Sequence, residues 1–319
     1  MIKKLSESLN DYGFLTDFNI SPITARERVR KLFEFGIRHF QFYDAMDRYE
    51  IPIIPNKKEW NDPIGRTIRR ETIDAYVDEI RKVGGISWFY TGIYSVSPGF
   101  VMPGLEKALF SFLEDKQHYA QEWICLDDNP DWAFVSIIDP STEEWKQHYT
   151  EQLRTITEDV GFTGIYFDQY GSLDTRWRFR YKPDIWSFDN IHDHDCFEEV
   201  NKAELMADFL RYFRQEMPDV GVIFNAADGY AFDETKDIVD FPYIELWNDN
   251  SIEHYCSRLK NTGKFVIVAY SSSDGKTFDR EMFLRRKKII NDAGGDLLFR
   301  GDDNRYLVNC YFPSAIRLN

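Results

Sequence analysis

The chain has 319 residues, of which 43% are hydrophobic and 16% aromatic, and its 39 Lys and Arg against 54 Asp and Glu give a net charge of -15. That composition can bury a large core and excludes a disordered chain. The acidity repels nucleic acid and anionic membrane surfaces but sets no barrier to a neutral polymer such as a glucan.

Eight apolar or β-branched runs read as strands, at 13–18, 37–44, 85–91, 163–168, 220–225, 239–245, 265–270 and 295–300. Amphipathic stretches between them predict helices at 22–35, 70–83, 141–159, 198–216, 251–261 and 278–292. Pro22 suits a first helical turn, and Ser141 with Glu144 reads as a capping box. Such alternation calls for parallel strands joined by helical crossovers, and eight strands favour a closed α/β barrel, the (β/α)8 or TIM barrel, over an open sheet. No linker or repeat divides residues 1–319, which read as one domain. The long stretches 92–140 and 171–197 follow strand ends, which in a barrel puts them over the C-terminal face as walls of a cleft.

Cys125, Cys196, Cys256 and Cys310 form no CxxC pair, so neither a zinc ribbon nor a disulfide scaffold is expected. Lys3 and Lys4 are followed by Ser-Glu-Ser where a secretory signal needs an apolar run, and no stretch reaches membrane-spanning length. The expectation is a soluble, unexported chain or a mature fragment. His192 and His194 in IHDHD invite a metal reading, but no HExxH or distant partner set supports one. Neither a GxGxxG after a strand nor a GxxxxGK[ST] loop occurs, and no cofactor is expected.

Two acids stand at strand ends beside aromatic rings. Asp168 closes the apolar run of GFTGIYFDQYG (161–171), and Glu245 follows the strand in DFPYIELWND (240–249), flanked by Tyr243 and Trp247. An isolated strand-end acid as readily caps the next helix or pairs with an Arg at the rim. Two together fit glycoside cleavage, in which one carboxylate meets charge growing at the anomeric carbon and the other protonates the leaving oxygen. The polar end beside Gln169 suits an ionised Asp168, and the rings around Glu245 suit the acid. Asp44 at the end of HFQFYD is a third strand-tip acid, able to bind sugar hydroxyls or to pair with Arg48. Tyr43, Gln41 on the same side, and Asn225 after VGVIF are further hydroxyl-binding candidates. Trp60, Trp123, Trp132, Trp177, Trp186 and Trp247 fall largely in loops or at strand ends, where rings stack on sugars, whereas Trp88 within a strand reads as core.

DYGFLTDF (11–18), FQFYDAMDR (40–48), WNDPIGR (60–66), YTGIYS (90–95), GFTGIYFDQYG, VIFNAA (222–227), YIELW (243–247), VAY (268–270) and AGGDLLFRGDD (293–303), in this order, resemble the catalytic barrel of glycoside hydrolase family 66, the dextranases and cycloisomaltooligosaccharide glucanotransferases. The resemblance implies retaining cleavage of α-1,6-linked glucan with Asp168 as nucleophile, Glu245 as general acid/base and Asp44 as a sugar-binding acid. Tyr94 and Tyr270 in its motifs join the substrate-binding candidates. The expected partner is an oligo- or polysaccharide. Ala45 stands where the family has Trp, Tyr49 where it has His, and Leu297 where a His is expected, which loosens the choice of sugar. The flanking β-domains of the family are not seen, and the helix after the eighth strand shrinks to YFPSAIRLN, so apolar strand surface would be covered by a second copy of the chain or left by a cut. Three further readings stay open: a glucanotransferase, an exo-α-glycosidase on another sugar, and a carbohydrate-binding barrel without turnover.

Overall fold

The computed structural model describes residues 11–62, 65–97, 100, 121–123, 134–169, 179–181, 197–270 and 279–300. The expected final helix, most of the two long loops with Trp132, Trp177, Trp186, His192 and His194, and Cys125, Cys196 and Cys310 lie outside them, as do the side chains of Trp123 and Tyr270. Cys256 is buried and free of a disulfide.

All eight expected strands form: β1 (Tyr12–Leu15), β2 (His39–Phe42), β3 (Ile86–Gly92), β4 (Gly164–Asp168), β5 (Gly221–Phe224), β6 (Tyr243–Leu246), β7 (Val266–Tyr270) and β8 (Asp296–Arg300). Every ladder among them is parallel, in a five-stranded sheet β1-β2-β3-β4-β5 and a three-stranded sheet β6-β7-β8. Helices α1 (Pro22–Glu34), α2 (Arg70–Val83), α3 (Glu143–Thr155), α4 (Lys202–Glu216), α5 (Phe232–Thr235), α6 (Asp249–Leu259) and α7 (Arg280–Asp292) intervene. Among the described residues the ladders do not join into a ring. The two sheets are stitched at one margin by a parallel bridge between Asn225 and Tyr243 and by Asp240, whose N–H donates to Val222 O (2.9 Å) and whose Oδ2 accepts from Val222 N (2.6 Å). At the other margin Asp296 Oδ2 accepts the Tyr12 N–H (2.8 Å) and Lys264 pairs with Asp11.

Local chemistry accounts for the boundaries. α1 starts at Ser21, whose Oγ accepts the Thr24 N–H (3.2 Å), with Pro22 supplying a fixed φ in the first turn, and Ala25, Val29 and Leu32 form its buried stripe. The capping box at Ser141 does not form: Thr142 is the N-cap, and the Ser141 hydroxyl donates to Asp139 Oδ1 (2.7 Å). The run after Thr155 widens into a π-turn, Ile156–Val160, closed by Gly161 N–H on Ile156 O (3.2 Å) with Gly161 at φ 90. The strand expected at 239–245 begins only at Tyr243, because Pro242 has no N–H for a ladder and Asp240 bonds back to β5. Short antiparallel pairs, Glu59–Asn61 with Thr67–Arg69 and Phe179–Tyr181 with Phe197–Glu199, decorate the connections. The second of these replaces the start of the helix expected at 198, and Asn201 caps α4 instead.

Strand alternation puts Tyr12, His39, Gln41, Trp88, Tyr90, Gly164, Tyr166, Gly221, Tyr243 and Glu245 on one interior face. Trp88 fills its floor, stacked on His39 (6.0 Å between centroids) and donating from Nε1 to His39 Nδ1 (3.1 Å). Burial, then Lys264, pulls His39 down to about 3, so it remains a neutral acceptor. The opposing strands are glycine where the indole lies: a Cβ would stand 2.3 Å from it at Gly164 and 2.7 Å at Gly221. Above this floor Tyr90 stacks on Tyr166 (5.4 Å), which meets Tyr243 edge-on (4.8 Å), and Tyr243 touches Tyr12 (5.7 Å), so rings from both sheets share one core.

Candidate active site

At the C-terminal ends of the strands, the interior alternation reaches Asp168 on β4, Asn225 just after β5 and Glu245 on β6. The Asn225 backbone is held on both sides, its N–H donating to Phe167 O (2.9 Å) and the following N–H, of Ala226, donating to Tyr243 O (3.0 Å). Its Nδ2 donates to Asp168 Oδ1 (2.8 Å) and to Glu245 Oε2 (2.8 Å). Two such bonds from one nitrogen keep those two oxygens no more than about 5.6 Å apart. The sequence brings this trio together across about 80 residues by strand order alone.

Asp168 Oδ2 accepts from the Tyr90 hydroxyl (2.5 Å). Burial, then Asp168 and Asp44, push the Tyr90 phenol well above the usual tyrosine range, so it stays protonated and donates. Tyr166 is raised in the same direction by burial, then by Tyr243, Asp168 and Glu245. Asp168 thus accepts a hydrogen bond on each of its two oxygens.

Asp44 follows β2 in the left-handed region (φ 51) and is buried. Asp tolerates that backbone better than most side chains, and neighbouring groups hold it there. Arg66 Nη2 donates to Tyr43 O (2.8 Å) and Asp44 O (3.2 Å), and its Nη1 to Thr16 O (3.1 Å). Asp62 fixes Arg66 through Nε (2.7 Å) and its backbone N–H (2.7 Å), while Trp60 Nε1 donates to Ala45 O (3.3 Å). The segment 60–66 thus clamps the loop that carries Asp44. Arg48, the partner considered for Asp44, pairs with Glu50.

Tyr43 lies against Tyr90 (5.1 Å) and so joins this group. Gln41 sits deeper, its Oε1 accepting from the Tyr12 hydroxyl (2.7 Å), and Tyr243 is a buried ring beneath Glu245. Tyr94 is buried just past β3, its carbonyl accepting from Ile138 N–H (2.9 Å). Trp247, two residues beyond Glu245, is 43% exposed. Tyr270 ends β7. The sequence reading missed Tyr90, Tyr166 and Arg66. The first two carried a signal, since both share the inward parity of Trp88 and Asp168.

The model of glycosyl hydrolase family 66 matches residues 7–317. The chain belongs to glycosyl hydrolase family 66. Among solved structures this family 66 chain is similar to a cycloisomaltooligosaccharide glucanotransferase of Paenibacillus sp. complexed with cycloisomaltoheptaose, at 20% identity over 82% of this chain and 38% of that one, with a TM-score of 0.68. It is also similar to an alpha-galactosidase from Thermus thermophilus (12% identity, 97% and 61% covered, TM-score 0.52) and to a beta-galactosidase from the psychrophilic Marinomonas ef1 (10% identity, 90% and 53% covered, TM-score 0.55). It therefore spans 38% of the length of the glucanotransferase, and at these identities the likeness is one of fold. The search of curated proteins returned no match.

Of the three departures from the family pattern, Leu297 proves remote. It pairs with Ile267 on β7, in the row of Ile244 and on the opposite face from Glu245, so no hydrogen bond near the acids is lost there. Ala45 is buried, and its carbonyl accepts from Trp60 Nε1. Tyr49 lies beside Gly92, its Cδ1 3.4 Å from where a Cβ would stand.

Proposed function

We propose that this family 66 chain is a retaining glycosidase acting on α-glucan, dextranase-like and endo-acting on α-1,6 linkages, with Asp168 as nucleophile and Glu245 as general acid/base. The observation that carries this reading is the single Asn225 amide bonded to both carboxylates at 2.8 Å. Holding the bonded oxygens within about 5.6 Å supports the roughly 5–5.5 Å separation of retaining enzymes over the roughly 6.5–9.5 Å an inverting enzyme needs for a water between them. We take the eight strands to close into a (β/α)8 barrel forming one catalytic domain, with Asp168 and Glu245 at its mouth; the shared aromatic core supports this.

In the first step Asp168 attacks the anomeric carbon as Glu245 protonates the departing glycosidic oxygen, leaving a glycosyl ester. Glu245 then takes the proton of an incoming hydroxyl, and the ester breaks with net retention. Asp44 and Tyr43 bind hydroxyls of the reacting sugar, and the exposed Trp247 offers a stacking face. Water as acceptor gives hydrolysis and a sugar gives transfer. Transfer is the second reading, favoured by the likeness to a glucanotransferase.

The test is turnover of isomaltooligosaccharides and dextran, with the anomer of the first product read by NMR and the products sized. Glu245→Gln is expected to lower kcat by roughly 10²- to 10⁴-fold. Unchanged turnover would remove Glu245 from the mechanism, an inverted first product would remove the covalent step, and cyclic or lengthened products would favour transfer.

A further inference from the structure

Asn225 was a candidate for binding sugar hydroxyls, yet its donor group is already committed. Both N–H bonds point at carboxylate oxygens, and amide flipping would turn Oδ1 onto two acceptors, so the orientation is fixed by its partners. The side chain is buried, and its Oδ1 has no hydrogen-bond partner among the described residues. Backbone bonds to β4 on one side and to β6 on the other hold it between the two acids. Its donor group therefore reaches substrate only through Asp168 and Glu245.

We propose that Asn225 is a positioning residue whose amide sets the separation of the two carboxylates and keeps Glu245 Oε2 as an acceptor, so that the proton Glu245 delivers is carried on Oε1. This rests on the glycosidase reading above and adds to it a reason for the spacing. Two carboxylates bridged by one amide repel, and the shared donor offsets part of that repulsion. Around the trio stand Tyr90 and Tyr166 from β3 and β4, Tyr243 from β6 and Asp44 beyond β2, and none of these is a cation. The amide bonds both acids at once.

Asn225→Ala and the equal-sized Asn225→Asp test the proposal by kcat, KM and the pH profile of kcat/KM on an isomaltooligosaccharide, with folding followed by near-UV circular dichroism. Loss of a bond to a charged group is worth roughly ten- to a hundredfold, so Asn225→Ala should lower kcat by about that factor while KM moves little. Both limbs of its pH profile should move to higher pH, because each carboxylate loses a donor that favours its charged form. Asn225→Asp, which adds an acceptor between the acids, should lose more activity than Asn225→Ala. A raised KM with kcat and both limbs unmoved would make Asn225 a sugar binder and overturn the proposal. Failure of both variants to fold would overturn it too, since a positioning role leaves the scaffold intact. Asp168→Asn and Glu245→Gln separate the two readings: if they keep full activity the glycosidase assignment falls, whereas if they lose it and the Asn225 variants do not, only the positioning role falls.

Discussion

Asp296 is a buried carboxyl at the end of the strands opposite the candidate active site, and its titration makes a sharp prediction. Burial, opposed by Lys264 and reinforced by Asp11, raises it from 3.8 to about 7. A raised folded value means that the native state holds the proton more tightly than the unfolded chain. Its contribution to stability is therefore complete below 3.8 and is lost as pH rises through about 7. A shift of about three units corresponds to about 4 kcal/mol, at 1.36 kcal/mol per unit. His39 works the other way. Lowered from 6.5 to about 3, it contributes fully above 6.5, and that contribution is lost as pH falls through about 3. Between 3.8 and 6.5 the two slopes oppose, so the wild-type stability curve alone conceals both. Asp296→Asn separates them, since the amide has the size of the protonated acid, can still accept the Tyr12 N–H, and leaves His39 unchanged. Urea unfolding of wild type and variant, each at four pH values from about 4 to 9, gives the difference curve. The variant should match wild type near pH 4 and exceed it by up to about 4 kcal/mol above pH 8. A flat difference, or a variant weaker at high pH, would mean that the charged Asp296 is a stabilising partner of Lys264, refuting the argument.

Two other substitutions probe the interior and the acid set. Gly164→Ala puts a Cβ 2.3 Å from Trp88, so overpacking should cost about 1–3 kcal/mol in urea unfolding, with Trp88→Phe restoring part of it; no loss would mean that the indole does not occupy the floor as described. Tyr90→Phe removes the hydroxyl donor to Asp168 and should cut kcat/KM roughly ten- to a hundredfold with little change in denaturation midpoint, whereas an unchanged rate would mean that the bond to Asp168 plays no part in turnover.

The eight strands were legible because each is a short apolar run bounded by polar residues, and only their ends moved, as at Pro242, where the missing N–H delays β6. Hairpins of three-residue strands such as Glu59–Asn61 were not legible, because so few residues carry no period. The acids could be read as polar ends of apolar strands. The Asn225 bridge could not, for it exists only once β4 and β6 flank β5. Arg66 was hidden for a similar reason, since its carbonyl partners at Thr16, Tyr43 and Asp44 lie far away in sequence.

Sequence departures from a family pattern mean different things at different depths, and this chain separates the cases. Leu297 projects into the outward row with Ile244 and Ile267, where a histidine would face the helices and not the acids, so the exchange says nothing about the sugar. Ala45 is buried and meets Trp60 through its carbonyl, so that bond does not depend on the side chain at this position. Tyr49 alone of the three reaches the strand end beside an acid: its ring lies against Gly92, which pairs with Asp168 across the β3–β4 ladder. A change in substrate preference that travels through Asp168 is therefore to be sought at Tyr49, where a histidine would set a titratable ring in place of a neutral phenol beside the Gly92–Asp168 pair.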